Sequence, residues 1–272
     1  MIKDFLKPTS PQEAVSLKKQ YQDSLYIGGG TWINSSYSKL NPEVVISLSN
    51  LNLSKFEINN DTLFIGSSVT IQDLIDRKDV PDVLKEAASH VGSRNIRNAA
   101  TLGGSIGSGS PWFSLTPALL VLDTVLETID DEGIKDIPLY DYLEADIKNL
   151  ILTIKIPLAP EKDAKILKYT RTARTVPVIV AAASCRKGHN NDHSLAKPLI
   201  AIGGVASKPV LLTDLFQKLD DVQMPSRDEL EKMISAAVSP KGDFRGGADF
   251  RKYMAGVLAA NCLTIAFEGA KV

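Results

Sequence analysis

Residues 96–120, IRNAATLGGSIGSGSPWFSLTPALL, decide how the chain is read: a basic residue, then small and hydroxylated residues with four glycines (Gly103, Gly104, Gly107, Gly109), then an apolar anchor. Glycine lacks the Cβ that keeps a ligand away from the backbone, so the stretch predicts bare amide donors for an anion, above all a phosphate. A second such loop lies upstream, where LYI at 25–27 reads as a short strand that empties into GGGT at 28–31. The carboxyl end of a strand is where glycine loops meet phosphates.

The flanking sequence builds around these two loops. Ser10 as cap, Pro11 at the first helical position and Glu13 as capping-box partner predict a helix to about Gln20, and EVVISL at 43–48 predicts a second buried strand. Helix, strand, loop and strand in so short a span indicate a small parallel α/β unit. FEI at 56–58 and TLFIG at 62–66 flank Asn59, Asn60 and Asp61 as a hairpin, Thr70 caps a helix, and a further helix is expected near 81–91. After the opening stretch come strands at 121–129 and 137–139 around a Gly133 turn, and ILTIKIP at 151–157, which alternates like an edge strand stopped by proline. A loop at 159–163 marks a domain boundary. Beyond it, 164–171, 176–186 and 199–205 read as three antiparallel strands, followed by helices at 212–216, 226–235 and 248–266.

Composition narrows the function. In 272 residues, 44% hydrophobic content supports ordinary cores, and Lys+Arg 31 against Asp+Glu 32, net −1, gives no basis for nucleic acid or an anionic membrane as partner. Cys185 and Cys262 are far apart and outside any CxxC spacing, which argues against an iron–sulfur or zinc site on this chain and for reduced thiols in a cytoplasmic protein. The N-terminal residues lack a signal peptide's apolar core, and no apolar run approaches the about 18 residues of a membrane span.

GGGT alone is weakly specific. Thr31, Trp32 and Ile33 stand where a Rossmann fingerprint needs its last glycine, and no Gly-Lys-Ser/Thr follows as in a Walker loop. TLGGSI at 101–106 is more specific, because it continues into Gly107, Ser108 and Pro111. Two glycine loops on separate elements can clamp a diphosphate from two sides, with hydroxyls from Thr31, Thr101, Ser105 and Ser108, which makes a diphosphate-bridged dinucleotide the leading ligand. Other motifs carry less. His189 and His193 read as an exposed hairpin tip rather than metal ligands, His90 as a structural residue on an amphipathic helix, and DFRGG at 243–247 as a turn that docks the final helix. No catalytic residue and no metal site is assigned.

IGGGT at 27–31, IGSSV at 65–69, IRNAATLGGSI at 96–106, IGGVASKPV at 202–210 and DFRGGADFR at 243–251, in that order along nearly the whole chain, resemble the FAD-binding medium subunit of molybdenum hydroxylases. That family includes the flavin subunits of bacterial xanthine dehydrogenases and of aerobic carbon monoxide dehydrogenases. The resemblance implies an α+β chain with a vanillyl-alcohol-oxidase (PCMH)-type FAD-binding domain at 1–162, in subdomains of about 1–54 and 55–162, and a C-terminal domain at 163–272 with a three-stranded antiparallel sheet and helices. It implies that Ile27, Gly28, Gly29, Gly30, Thr31, Trp32 and Ile33, with Thr101, Gly103, Gly104 and Ser105, hold the FAD diphosphate. Ser108 joins this set by its hydroxyl, Ile151 packs near the flavin ring, and Lys168 lies at the flavin end.

The chain departs from the family pattern at Ser105, where Asn is usual, and at Ser114, where an Asp commonly contacts the flavin's polar chain. A lost or lengthened hydrogen bond costs about 1 kcal/mol, roughly fivefold in affinity. RTARTVP at 171–177 also departs from the family's paired arginines and acidic residue, and Arg171 and Arg174 read equally well as a solvated strand edge.

By the same resemblance, partners are a molybdopterin-binding large subunit and a 2Fe-2S small subunit, with NAD or oxygen as acceptor. The rival reading is a structural or assembly subunit whose FAD binding is weak or lost, motivated by Ser105 and Ser114. A stand-alone flavin oxidase needs a dedicated substrate pocket, for which the C-terminal domain is too small.

Overall fold

The computed structural model describes residues 2–36, 38–159, 162–172, 175–187, 194–220 and 222–270. In chain order the elements are β1 (Asp4–Leu6), α1 (Pro11–Gln20), β2 (Ser24–Ile27), β3 (Val44–Ser47), β4 (Phe56–Asn59), β5 (Thr62–Gly66), α2 (Ile71–Asp76), α3 (Asp82–Ser89), α4 (Arg94–Ala99), α5 (Leu102–Gly107) and α6 (Leu115–Leu120). They continue with β6 (Val125–Asp130), β7 (Gly133–Pro138), α7 (Leu139–Glu144), β8 (Leu150–Pro157), β9 (Asp163–Tyr169), β10 (Ile179–Lys187), β11 (Ser194–Gly203), β12 (Val210–Leu211), α8 (Thr213–Leu219), β13 (Val222–Gln223), α9 (Arg227–Ala237) and α10 (Ala248–Gly269). The chain is α+β, as expected.

By packing it divides into two units. One comprises Met1–Val80, Ser93–Ser108 and Thr124–Pro157; the other comprises Pro81–Gly92, Gly109–Asp123 and Leu158–Val272. This partition interleaves the chain and differs from a single cut near 162, because α3 packs on α6 and β9, and α6 packs on β10 and β11.

In the first unit, β1, β3 and β2 form a parallel three-stranded sheet in that order. The helix between β1 and β2 starts where its signals place it: Ser10 Oγ accepts from the Glu13 amide at 3.2 Å, and Glu13 Oε2 accepts from the Thr9 amide at 2.7 Å. A second, antiparallel sheet has the order β4-β5-β8-β6-β7. Its first hairpin turns through Asn60 and Asp61, both left-handed with φ of 45° and 58°.

One expectation is corrected here. The alternating strand at 151–157 is not an edge but the centre of the sheet, paired with both β5 and β6. Leu150, Ile151 and Leu152 are buried in succession, which a half-exposed edge does not need, and Pro157 only ends the strand. Leu150 and Leu152 join Ala14, Ile46, Leu51 and Ile129 in one core cluster.

The second unit centres on the antiparallel run β9, β10 and β11, the three strands expected. The sheet is larger than read from sequence, since the two-residue strands β12 and β13 both pair with β11. They are too short to carry a periodic signal. Helices α8 and α10 cover it and α9 packs on α10, with Ala255, Ala259, Cys262, Leu263 and Ala266 of α10 in the core. Ser226 and Glu229 form the capping box that starts α9.

Candidate functional site

The loop after β2 is built to leave its amides open. Gly30 sits at φ 67°, and its carbonyl accepts from the Asn34 amide at 3.3 Å and from Asn34 Nδ2 at 3.0 Å, which closes the turn. Among the described residues the amides of Gly28, Gly29, Gly30 and Thr31 donate to no other protein group. Gly28 and Gly29 are exposed, and Trp32 and Ile33 are partly exposed. Successive unpaired amides on an exposed turn form a concave set of donors suited to a polyanion.

The glycines here answer to a protein neighbour. A Cβ on Gly29 would stand 1.6 Å from the Ala99 carbonyl oxygen, and one on Gly28 would stand 2.6 Å from Thr101 Oγ1. The loop is therefore laid directly on the backbone that joins α4 to α5, and the structure brings the two predicted segments into contact. Ile27 ends β2 beneath them.

The second segment does not match the reading that both glycine stretches offer bare amides. TLGGSIG is a short helix: Thr101 is its cap, with Oγ1 accepting from the Gly104 amide at 3.1 Å. The Leu102 amide donates to Val69 O and the Gly103 amide to Ser67 O, each at 2.9 Å, and the Ser105 amide donates to Thr101 O at 3.0 Å. Every first-turn donor is thus engaged within the protein, because Thr101 also bridges Thr70 and draws the segment against residues 67–70. Gly103 fits only because a Cβ there would meet Ser67 Cβ at 2.5 Å, whereas Gly107 and Gly109 face open space. Ser105 is buried, and Ser108 Oγ donates to the Ser105 carbonyl at 2.8 Å. Upstream, Arg97 Nε donates to Gln72 Oε1 at 2.9 Å and ties α4 to α2.

Ile151 is buried within β8 opposite Thr128. Ser114 and Lys168 belong to the second unit. Ser114 is 2% exposed and stands at the cap position of α6 without making a cap bond. Its Oγ lies 3.2 Å from Nδ1 of His90, at the end of α3. Burial, and then the positive charges of Lys168 and Lys165, push the half-buried His90 imidazole down to about 4, so it is neutral at physiological pH. Lys165 pairs with Glu86 at 2.7 Å. Lys168, on β9 opposite Val180, is lowered by burial. His90 was not among the residues the sequence singled out for a site; its contact joins helices separated in sequence, and no motif marks it.

The DFRGG turn does what its bland reading predicts. The amides of Asp243 and Gly246 donate to each other's carbonyls at 3.0 and 3.1 Å. Arg251, 3% exposed, donates to Gly204 O at 2.7 Å, to Val178 O at 3.4 Å and to the Asp243 carboxylate, fastening α10 to the sheet. Burial works to raise the Asp243 carboxyl, but hydrogen bonds from Arg245 and Arg251 outweigh it and leave it at about 2. The Arg245 guanidinium stacks 3.9 Å over Trp112. Arg171 is exposed beside the end of β9, while Arg174, His189 and His193 lie outside the described residues. No helix among the described residues is long and apolar enough to cross a membrane.

Comparison with known proteins bears on this arrangement. Residues 1–159 match the family described as FAD binding domain in molybdopterin dehydrogenase. The chain is 32% identical to the uncharacterized protein YgfM of Escherichia coli (strain K12) over 96% of this chain and 95% of that one. It is 24% identical to the carbon monoxide dehydrogenase medium chain of Afipia carboxidovorans over 98% of each. Among solved structures, a chain of carbon monoxide dehydrogenase from Hydrogenophaga pseudoflava superposes with a TM-score of 0.90 at 20% identity, covering 100% of this chain and 99% of that one. A chain of quinoline 2-oxidoreductase from Pseudomonas putida 86 gives 0.84 at 18% identity, covering 99% and 98%.

Proposed function

The chain belongs to the family of FAD binding domains in molybdopterin dehydrogenases, and from that premise we propose that it is the flavin subunit of a cytoplasmic molybdenum hydroxylase. Residues 1–162 form the flavin-binding portion and 163–272 the C-terminal domain. When bound, FAD supplies a two-electron carrier between the iron–sulfur clusters of a small partner, fed by a molybdopterin-binding large partner, and NAD or another acceptor.

The observation that carries this reading is the row of unpaired amides at 28–31, held in place by Ala99 and Thr101. Backbone donors that need no rearrangement suit a diphosphate, and their neighbours Ile27, Trp32 and Ile33 frame it. Thr101 buttresses the loop at Gly28, and Thr101, Gly103, Gly104, Ser105 and Ser108 are assigned to the diphosphate side of the cofactor. Ile151, Ser114 and Lys168 are assigned to the flavin portion.

The test is titration of the purified protein with FAD, followed by visible absorbance. A saturable flavin spectrum with near-unit stoichiometry is expected, and its absence overturns the reading. The engaged amides of 102–105 and the engaged hydroxyl of Ser114 favour one alternative, an assembly subunit with weakened flavin binding. That alternative expects molybdenum and iron to co-purify in fixed ratio without flavin.

A further inference from the structure

Asn34 lies just beyond the residues that the sequence assigns to the anion loop, yet the loop's geometry runs through it. Its backbone amide and its side-chain Nδ2 both donate to the Gly30 carbonyl, at 3.3 Å and 3.0 Å. That carbonyl and the N–H of Thr31 belong to one planar trans peptide, so they point in opposite directions. Holding the carbonyl toward Asn34 therefore turns the Thr31 amide away from the inside of the turn. Among the described residues that amide donates to no other protein group.

Gly30 makes such a hold necessary. It sits in the left-handed region at φ 67°, and a residue without a Cβ passes between conformations of either sign of φ at little cost. A flip of the 30–31 peptide would put a carbonyl oxygen where the amide stands, an acceptor facing an anion. Two side chains border Gly30: Ile27 Cδ1 stands 3.1 Å and Asn34 Nδ2 3.5 Å from where a Cβ would be. Of these only Asn34 can grip the peptide by a hydrogen bond. The next bond along the turn, from the Ser35 amide to the Trp32 carbonyl at 2.9 Å, leaves this peptide untouched.

We propose that Asn34 is the positioning residue of the anion loop: its side-chain amide latches the Gly30–Thr31 peptide so that the Thr31 N–H meets the cofactor's diphosphate. The inference rests on the flavin reading above and uses residues of the first unit alone.

The test compares wild type with Asn34→Asp, Asn34→Ala and Asn34→Gln, measuring FAD affinity by flavin fluorescence and the Thr31 backbone resonance by amide NMR. Asn34→Ala removes the side-chain bond and is expected to weaken FAD about fivefold, the worth of one hydrogen bond. Asn34→Asp keeps the shape, removes the donor and sets a carboxylate against the Gly30 carbonyl, so its loss is expected to be larger; Asn34→Ala serves if it folds poorly. Asn34→Gln still offers a donor, one methylene farther out, and recovers most of the loss, which a role in shape alone does not allow. On addition of FAD the Thr31 resonance moves in wild type and Asn34→Gln, and much less in the other two. FAD affinity unchanged in Asn34→Asp and Asn34→Ala overturns the inference while leaving the flavin reading intact. So does Asn34→Gln binding as weakly as Asn34→Asp, or a Thr31 resonance indifferent to FAD. Absence of FAD binding by the wild type overturns both.

Discussion

Two glycine-bearing turns, 28–31 and 243–247, look equally functional on paper. The first leaves its amides without protein partners and uses missing Cβ atoms to lie on Ala99 and Thr101. The second closes on itself through Asp243 and Gly246, and its charges run inward to Arg251 and the sheet carbonyls. Composition does not separate a binding loop from a fastener. What separates them is where the backbone donors and side-chain charges end up.

The largest effect that probes this contrast is expected from Gly29→Ala. The new Cβ overlaps the Ala99 carbonyl at 1.6 Å, so one loop must move; saturable flavin binding is expected to be lost, as read by absorbance titration. A variant that binds FAD normally would remove the central support for the binding loop. Next comes Arg251→Leu, which strips the carbonyls of Gly246, Val178 and Gly204 and the Asp243 carboxylate, four acceptors in all, of a buried guanidinium and is expected to lower stability by about 3 kcal/mol in urea denaturation. FAD affinity per folded molecule should stay within about twofold. A selective loss of affinity at unchanged stability would make the second turn a site after all.

A smaller effect is expected from pH. The folded value of His90, about 4, lies below its ordinary 6.5, so the unfolded chain takes up its proton first as pH falls. Its contribution to stability is fully present above the ordinary value and declines as pH drops from 6.5 towards 4. The loss is bounded by about 3 kcal/mol and reduced by the ring's solvent access. His90→Asn should flatten that part of a denaturation-against-pH curve. The smallest effect belongs to Gly107→Ala. A Cβ there meets nothing within 4 Å, and the helix should gain about 0.5 kcal/mol with flavin binding untouched. Together with Gly29→Ala, it separates glycines that permit contact from one that merely occupies a place.

Much of the fold was legible because its signals are local. Ser10, Pro11 and Glu13 start α1, Asn60 and Asp61 turn the first hairpin, and Ser226 and Glu229 start α9. The central place of β8 was not legible, because alternation at 152–156 describes one strand and says nothing of the neighbours on each side. Among the site residues, the two glycine segments were expected to flank one diphosphate from two sides, not to lie directly on each other as Gly28 and Gly29 do on Thr101 and Ala99, and the helical state of 102–107 was hidden by glycine's poor helix propensity. It became possible because Thr101 caps that turn and Val69 and Ser67 take its amides. The His90–Ser114 contact joins residues with no shared periodicity, and only tertiary packing reveals it.

The placement of β8 also sets a timetable for synthesis. Strands β4 and β5, and likewise β6 and β7, leave the ribosome before residues 150–157, the strand with which the inner edge of each hairpin pairs. Until β8 arrives, each hairpin presents open backbone to any passing strand, a window for mispairing during translation. Slowing elongation while β8 is still sheathed by the ribosome should therefore lower the soluble yield, whereas a pause after β8 has emerged should leave it unchanged.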